Sequence, residues 1–341
     1  MAVESRISGH ITGAGRSEPG TARARTAIET SGLTRDFPGV RALDGLTLRV
    51  PRGAIFGFLG RNGAGKTTTI RLLLGLVHPT AGQARVLGFD PITESGEVRR
   101  RCGVLLEQSG LSERLTAEQN LDLFGRIARM PRSVRAARIE ELLGRIGLWE
   151  RKDEPVRSWS RGMRQRLAIA RALIHRPSLI FLDEPTAGLD PVSAAGVRGD
   201  LLRLAARERV TVFLTTHNLA EAERLCDRVA IIRDGRLLAT GTPHEIGAQQ
   251  ARRQVRFRGG GFNPNVLSLL ADRRDVHRVS EVERGALVAL ADDAEVASLV
   301  TFLVRVGVGL EEVCPVGDTL EDGVLSLFHD DVVRAREAVA R

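Results

Sequence analysis

Residues 27–245 alternate between short apolar runs and longer mixed stretches. The apolar runs occupy Ala54–Leu59, Leu179–Leu182 and Val210–Thr216. Runs with few polar positions are typical of strands that are buried on both faces of a parallel sheet. Helical patterns lie between the runs, so the sequence predicts an α/β domain over residues 27–245.

A long stretch with helical periodicity separates the first apolar run from the second. Four apolar residues within it follow the i, i+3, i+4, i+7 spacing of an amphipathic helix. They are Ile139, Leu142, Leu143 and Ile146. We therefore expect residues 112–175 to be mainly helical and to form an insertion between the first two predicted strands.

The pattern changes towards both ends of the chain. Val229–Ile232 and Leu237–Ala239 flank the pair Asp234–Gly235, which is a hairpin signal. From residue 246 to residue 341 the apolar runs shorten, and we expect a small accessory α+β domain there. Residues 1–26 are rich in Gly, Ser, Thr, Ala and Arg without periodicity, which predicts a disordered tail.

The chain is basic, with 50 Lys and Arg against 42 Asp and Glu and a net charge of +8. Such an excess is compatible with nucleic-acid binding. However, residues 131–157 mix arginine with acidic residues, as on a solvated helix surface. The dense basic stretch Arg252–Arg258 alternates apolar and charged positions, so an edge strand or a half-buried strand explains it as well as a nucleic-acid patch does. We favour a solvated surface and no nucleic-acid partner.

The positions of the cysteines and the length of the apolar runs indicate the cellular compartment of the chain. Cys102, Cys226 and Cys314 are far apart, which favours a reducing cytoplasm over a disulfide framework or a metal cluster. No apolar run approaches the roughly 20 residues that span a bilayer. The first residues also lack the apolar stretch of a signal peptide, so we expect no membrane-crossing segment.

The first apolar run leads into a glycine-rich motif of the form G-x-x-x-x-G-K-[ST], which binds phosphate. Its glycines let backbone N–H groups face phosphate oxygens, and the N-terminus of the helix predicted at 67–74 adds free donors. Lys66 and Lys152 are the only lysines in the chain. A compact ammonium fits between phosphate oxygens, whereas a planar guanidinium is too wide. The motif comprises Gly60, Arg61, Asn62, Gly63, Ala64, Gly65, Lys66 and Thr67.

Two carboxylates, Asp183 and Glu184, follow the second apolar run. The carboxyl end of a parallel strand is where α/β sheets bind ligands. In this Walker B form, Asp183 is expected to hold Mg²⁺ opposite the hydroxyl of Thr67. Glu184 is close enough to orient or polarise an attacking water.

Three further motifs surround these carboxylates in a fixed order. Ser160–Arg166 precedes them by one helix, Ala187–Asp190 follows them, and His217 ends the third apolar run. Together with the phosphate loop, this set resembles the ATP-binding subunits of ABC transporters over residues 27–245. The resemblance implies a P-loop NTPase fold with a mostly parallel sheet core, an antiparallel β subdomain and the helical insertion.

The resemblance also implies ATP and Mg²⁺ as ligands and a head-to-tail homodimer that sandwiches ATP. Ser160 and Gly162 would contact the γ-phosphate bound by the opposite copy, and His217 would sense the γ-phosphate. Thr68 would join the phosphate loop in binding the nucleotide. Phe37 falls where the family stacks an aromatic ring on adenine, and simple core packing is the alternative.

The glutamine that approaches Mg²⁺ in this family has two candidates in the stretch from Gly103 to Leu111. Register with the family places Glu107 at the glutamine position, whereas a shift of one residue places Gln108 there. We predict Gln108 as the residue that contacts the nucleotide and the metal, with Glu107 as the alternative.

Two segments resemble the drug-exporter branch of the family. Trp159, Arg161 and Met163 depart from the usual Leu-Ser-Gly-Gly-Gln motif as that branch does, and Thr319–Leu327 resembles the closing segment of daunorubicin-resistance subunits. The branch implies antibiotic resistance through an ATPase at the cytoplasmic face of the membrane. It would power export of a drug-like or other hydrophobic substrate through a separate permease.

Two other classes of protein share the phosphate loop. The alternative to an exporter subunit is a soluble, non-transport ABC-type ATPase that acts on ribosomes or nucleic acid. A GTPase would need an Asn-Lys-x-Asp guanine motif. Neither Lys66 nor Lys152 lies in such a motif, so that class is excluded.

Overall fold

The computed structural model describes residues 26–250, 254–291, 294–316, 319–325 and 327–328. The predicted tail therefore lies outside the described residues, apart from Thr26. Between residues 26 and 245 the structure has nine strands, which two sheets contain. They are β1 (Thr26–Phe37), β2 (Val40–Pro51), β3 (Ile55–Leu59), β4 (Ala81–Val86), β5 (Cys102–Leu105), β6 (Leu179–Asp183), β7 (Thr211–Thr216), β8 (Arg228–Arg233) and β9 (Arg236–Gly241).

The larger sheet has six strands in the order β5-β6-β7-β3-β8-β9. All neighbours are parallel except β8 and β9, which form the antiparallel hairpin predicted around Asp234–Gly235. The three predicted strands are β3, β6 and β7, and each is buried at every position. Their apolar runs are continuous because both faces of this sheet are covered.

One face of the larger sheet packs against the three-stranded antiparallel sheet β2-β1-β4 and the helix that follows the phosphate loop. The other face packs against helices, including those between residues 112 and 175. The helices of this part of the chain are α1 (Lys66–Leu73), α2 (Ser95–Arg101), α3 (Ala117–Ile127), α4 (Arg132–Arg145), α5 (Arg161–Leu173), α6 (Pro191–Glu208), α7 (Leu219–Leu225) and α8 (Pro243–Gln250).

Helix α4 shows why the stretch from 112 to 175 is helical. Its predicted apolar stripe is buried, with Ile139 at 2% exposure and Leu142 and Leu143 at 0%. Helix α3 begins with a complete capping box between Thr116 and Gln119, which satisfies backbone donors that a helix start leaves free. Both α3 and α4 contact α5, so the first two helices of the insertion help to position the third.

The C-terminal part forms a separate four-stranded antiparallel sheet. Its strands are β10 (Gln254–Gly260), β11 (Val276–Val282), β12 (Gly285–Leu290) and β13 (Gly309–Val316), in the order β11-β12-β10-β13. Strand β10 has a neighbour on each side, so the expectation of an edge strand is wrong for residues 254–258. Arg252 and Arg253 lie outside the described residues. The half-buried alternative is confirmed, since Val255 and Phe257 are buried while Arg258 is exposed. Helices α9 (Pro264–Ala271) and α10 (Val296–Arg305) connect strands of this sheet.

The last described residues leave this sheet and return to the ATPase-like part. Leu320 and Val324 are buried in the same hydrophobic cluster as Ile246 and the helices on the large sheet. We call residues 319–325 and 327–328 the return segment. A domain boundary between residues 245 and 246 stays a prediction.

The three cysteines carry no disulfide. Burial raises the pKa of the Cys102 thiol to about 12 and raises that of Cys226 as well. Both thiols are therefore protonated at neutral pH and chemically inert.

Candidate active site

The site lies where three parallel strands end side by side. Strand β3 runs into the phosphate loop, β6 ends at Asp183, and β7 ends next to His217. Strand β7 pairs in parallel with both β3 and β6, so their carboxyl ends meet at one edge of the sheet. This is the edge at which open α/β sheets bind ligands.

Close backbone contacts shape the phosphate loop. A Cβ atom on Gly60 would lie 2.5 Å from the carbonyl oxygen of Ile232, and one on Gly65 would lie 2.5 Å from that of Ala42. Gly65 also has a φ of 103°, which favours glycine. It caps helix α1 without a side-chain hydrogen bond, so the first backbone N–H groups of that helix are available to an anion.

Lys66 is 7% exposed. Its Nζ atom donates a hydrogen bond to the Gly60 carbonyl oxygen at 2.7 Å and lies 3.0 Å from Oε1 of Glu184. Oε1 has no hydrogen bond of good geometry, so its contact with Lys66 is an ion pair alone. A buried ammonium needs an anionic neighbour, and here Glu184 supplies it.

Asp183 receives hydrogen bonds from two threonines. The Thr67 hydroxyl donates to Oδ2 at 2.8 Å, and the Thr215 hydroxyl donates to Oδ1 at 2.5 Å. The oxygens of Thr67 and Asp183 are therefore adjacent, and both are the hard donors that Mg²⁺ prefers. These two residues are suited to hold a Mg²⁺ ion.

Glu184 lies between two other functional groups. Its Oε2 atom is 2.8 Å from Nδ1 of His217, while Oε1 faces Lys66. Its backbone has a φ of 50°, a strained conformation for a residue with a side chain. Hydrogen bonds from its N–H to the carbonyl and hydroxyl oxygens of Thr215, both at 3.1 Å, hold it there.

A cavity of about 520 Å³ joins these groups. Arg161 and Gln165 of helix α5 also line it, although the sequence did not place them there. Arg161 donates to the Ala187 carbonyl oxygen at 3.1 Å, and Gln165 donates to that of Pro185 at 2.6 Å. The predicted site residues in its wall are Asn62, Gly63, Gly65, Lys66, Thr67, Thr68, Asp183, Glu184 and His217.

Seven predicted residues lie outside the wall of this cavity, namely Gly60, Arg61 and Ala64 of the phosphate loop, Gln108, Ser160, Gly162 and Phe37. Ser160 is exposed and caps helix α5 by accepting a hydrogen bond from the Met163 N–H at 3.2 Å. Gly162 is buried, and a Cβ atom there would lie 2.7 Å from Oγ of Ser193. Phe37 is 39% exposed, so it does not belong to the core.

The two glutamine-position candidates differ in their placement. Glu107 lines the cavity together with Leu106, whereas Gln108 is not part of the described wall. Sequence reasoning missed Thr215, Arg161 and Gln165 as residues of the site. The signal for Thr215 was two threonines at the end of an apolar strand, and the signal for Arg161 was its place beside Ser160.

A family model described as "ABC transporter" matches residues 43–187. A daunorubicin/doxorubicin resistance ATP-binding protein from Streptomyces peucetius is 44% identical over 232 residues, which cover 68% of this chain and 70% of that protein. A bacitracin transport ATP-binding protein from Bacillus licheniformis is 36% identical, covering 89% and 97% of the two chains. A daunorubicin resistance ATP-binding protein from Streptomyces coeruleorubidus is 39% identical, covering 92% and 99%.

Solved structures agree with these relatives. The ATP-binding subunit of an ABC transporter matches with a TM-score of 0.59 and 32% identity, over 65% of this chain and 92% of that one. The structure of cbiO1 from Clostridium perfringens, part of an ABC transporter complex, matches with a TM-score of 0.61 and 26% identity, over 65% and 90%. By these relatives, its fold and its site, the chain belongs to the ABC transporter family, as an ATP-binding subunit that hydrolyses ATP.

Proposed function

We propose that this chain powers the export of drug-like or other hydrophobic molecules through a separate integral membrane permease. The cavity that brings Lys66, Thr67, Asp183, Glu184 and His217 together is the observation that carries the ATPase part. The names of its relatives support the proposal that ATP hydrolysis drives the export of antibiotics. No helix in the described part of the chain is both long and apolar enough to cross a bilayer.

In this proposal the phosphate loop holds ATP. Backbone N–H groups of the loop would face the phosphates of ATP, while Gly60 and Ala64 complete the loop through hydrogen bonds from their own N–H groups to the carbonyl oxygens of Thr216 and Arg61. Arg61 and Asn62 form the exposed tip of the loop. Lys66 would exchange its ion pair with Glu184 for the β- and γ-phosphate oxygens. Thr67 and Asp183 would hold Mg²⁺, which neutralises charge on those oxygens when bound. Phe37 is exposed, as stacking on adenine requires.

Glu184 is the proposed general base. Water attacks the γ-phosphorus, a new P–O bond forms, and the bond to the oxygen bridging the β- and γ-phosphorus breaks, giving ADP and phosphate. Glu184 accepts the proton of the water as the bond forms. His217 already lies 2.8 Å from Glu184, so it orients the carboxylate and can contact the γ-phosphate.

We further propose that two copies sandwich ATP head to tail. Ser160 and Gly162 stand outside the cavity of their own chain, while Ser160 is exposed at the start of a 13-residue helix. A second copy would use that helix start to bind the γ-phosphate. The proposal also divides the chain into three parts: a tail at 1–26, an ATPase domain at 27–245 and an accessory domain at 246–341.

Glu107 is the better candidate for the metal-proximal position, because it lines the cavity. We expect Glu107→Ala to raise the Mg²⁺ concentration that half-saturates ATP turnover about tenfold, since a carboxylate near the cation is lost. Gln108→Ala is the matched control and should stay within about twofold of wild type. The opposite pattern, measured by phosphate release across a Mg²⁺ titration, would assign the position to Gln108.

The transport role is tested by locating the full chain in cells that encode its partner. We expect the chain to sediment with membranes at the cytoplasmic face and, after detergent extraction, to co-purify with a polytopic protein. Because its charge is +8, washes at 1 M salt should precede extraction, since they screen attraction to anionic lipid. Sedimentation with ribosomes or nucleic acid would contradict the exporter and support the soluble alternative.

A further inference from the structure

The return segment packs against the ATPase-like part of the chain. Leu320 is 0% and Val324 3% exposed in the cluster that contains Ala222 and Leu225 of helix α7. The N–H of Leu320 donates to Oε1 of Glu223, also on α7, at 3.1 Å. Helix α7 begins two residues after His217, so one end of the return segment rests on the element that follows the active-site histidine.

The other end of the return segment contacts the hairpin of β8 and β9 through Arg233. The Arg233 guanidinium donates to the carbonyl oxygen of Phe328 at 2.9 Å. The same group lies 5.5 Å from the centroid of the Phe328 ring. A charge-assisted hydrogen bond and a cation–π contact therefore join the two elements.

The residues on both sides of Arg233 contact the phosphate loop. The carbonyl oxygen of Ile232 approaches Gly60 so closely that a Cβ atom there would lie 2.5 Å away. The N–H of Gly235 donates to the carbonyl oxygen of Ala64 at 3.2 Å. The hairpin turn thus supports the loop near its first glycine and near its last, with Arg233 between the two supports.

Between its contacts with the hairpin, the phosphate loop borders an open space. A second cavity, of about 580 Å³, lies there, and Phe328 forms part of its wall. Its wall is shared by the phosphate loop, the hairpin and the return segment. The remaining residues of the wall are Arg61, Asn62, Ala64, His217, Ile232, Arg233 and Asp234.

We infer that Arg233 is a positioning residue for ATP binding, through which the return segment holds the β8–β9 turn against the phosphate loop. The loop must present several N–H groups to one phosphate, and such groups bind well only when they are held in place beforehand. Without the Phe328 contact, the turn and the loop gain freedom that ATP must then remove. The inference rests on the proposed role of the phosphate loop.

The test is ATP affinity of the full chain, measured with a fluorescent ATP analogue. Arg233→Met should weaken binding about fivefold, or about 1 kcal/mol. Phe328→Ala removes the ring but keeps the carbonyl oxygen that accepts from Arg233, so it should weaken binding by less than Arg233→Met. The double variant should bind no more weakly than Arg233→Met, because Arg233→Met already removes the contact with the ring. Arg233→Lys keeps a charged donor and should recover binding to within about twofold.

Arg236→Met is the matched control, because Arg236 follows the same turn but pairs with Asp44, at 2.8 Å, instead of the return segment. It should bind ATP like wild type. Two outcomes would overturn the inference and leave the proposed phosphate loop intact. One is that the losses of ATP affinity add up in the double variant. The other is that Arg233→Met binds ATP like wild type while Lys66→Arg still loses affinity. Wild-type affinity in Lys66→Arg would overturn the proposed phosphate loop and the inference together.

Discussion

Replacement of Glu184 by glutamine is expected to lower ATP turnover at least about 100-fold, the usual contribution of a general base. ATP binding should be retained or become tighter. In the structure Lys66 is paired with Glu184 at 3.0 Å, and ATP must displace that pair. Glutamine has no charge to hold Lys66, so the ammonium is free for the phosphates while the proton acceptor is gone.

Phosphate release and equilibrium binding of ATP would be measured on the same preparation. The variant that binds but does not hydrolyse ATP should also accumulate as a dimer of twice the mass, and Ser160→Ala in that background should reduce the dimer. Glu140→Gln is a suitable control, because Glu140 is exposed on helix α4 away from the cavity. Turnover near the wild-type rate in Glu184→Gln would remove Glu184 from its assigned role.

The second large effect is expected at Lys66. Lys66→Arg keeps the positive charge, yet ATP affinity should fall about 30-fold or more, close to 2 kcal/mol. The side chain is 7% exposed and reaches both Gly60 and Glu184. A planar guanidinium does not fit such a tight slot without moving the loop.

The chain itself provides the control for this substitution. Lys152 is the other lysine, and its Nζ atom pairs with Asp153 at 2.9 Å far from the cavity. Lys152→Arg makes the same chemical change at the surface and should leave ATP affinity unchanged. Titration with labelled ATP compares the two variants. Equal affinities for both would show that charge alone, and not the shape of the ammonium, is what the site requires.

The parts of the site that depend on local sequence were predictable. The phosphate loop, Asp183 and Glu184 each follow a continuous apolar strand, and neighbouring parallel strands place their carboxyl ends together. Thr215 was not recognised, although it lies in a predicted strand. Its hydroxyl matters because β7 is the neighbour of β6, and strand order is a long-range property that periodicity does not encode.

Other features of the fold and the site could not be predicted, because they depend on the position of a strand in its sheet and on how far a side chain extends. The alternation in β10 predicted which residues are buried, but an edge strand and a central strand have the same alternation. Glu107 and Gln108 are adjacent, and only the backbone of the loop decides which of them faces the cavity. Arg161 enters the wall because its long side chain extends to Ala187. Its place beside Ser160 indicates that it is near the site, but only the fold brings Ala187 within its reach.

The return segment affects how the C-terminal sheet is connected to the ATPase core, and thereby its stability. Ile246, Leu320 and Val324 lie in one hydrophobic cluster with the helices on the large sheet, so the chain is anchored there both before and after the C-terminal sheet. If the sheet unfolds while both anchors hold, its chain becomes a closed loop and gains less entropy than a free tail would. Anchoring on the ATPase core thereby stabilises the folded C-terminal sheet, whose own hydrophobic core is small.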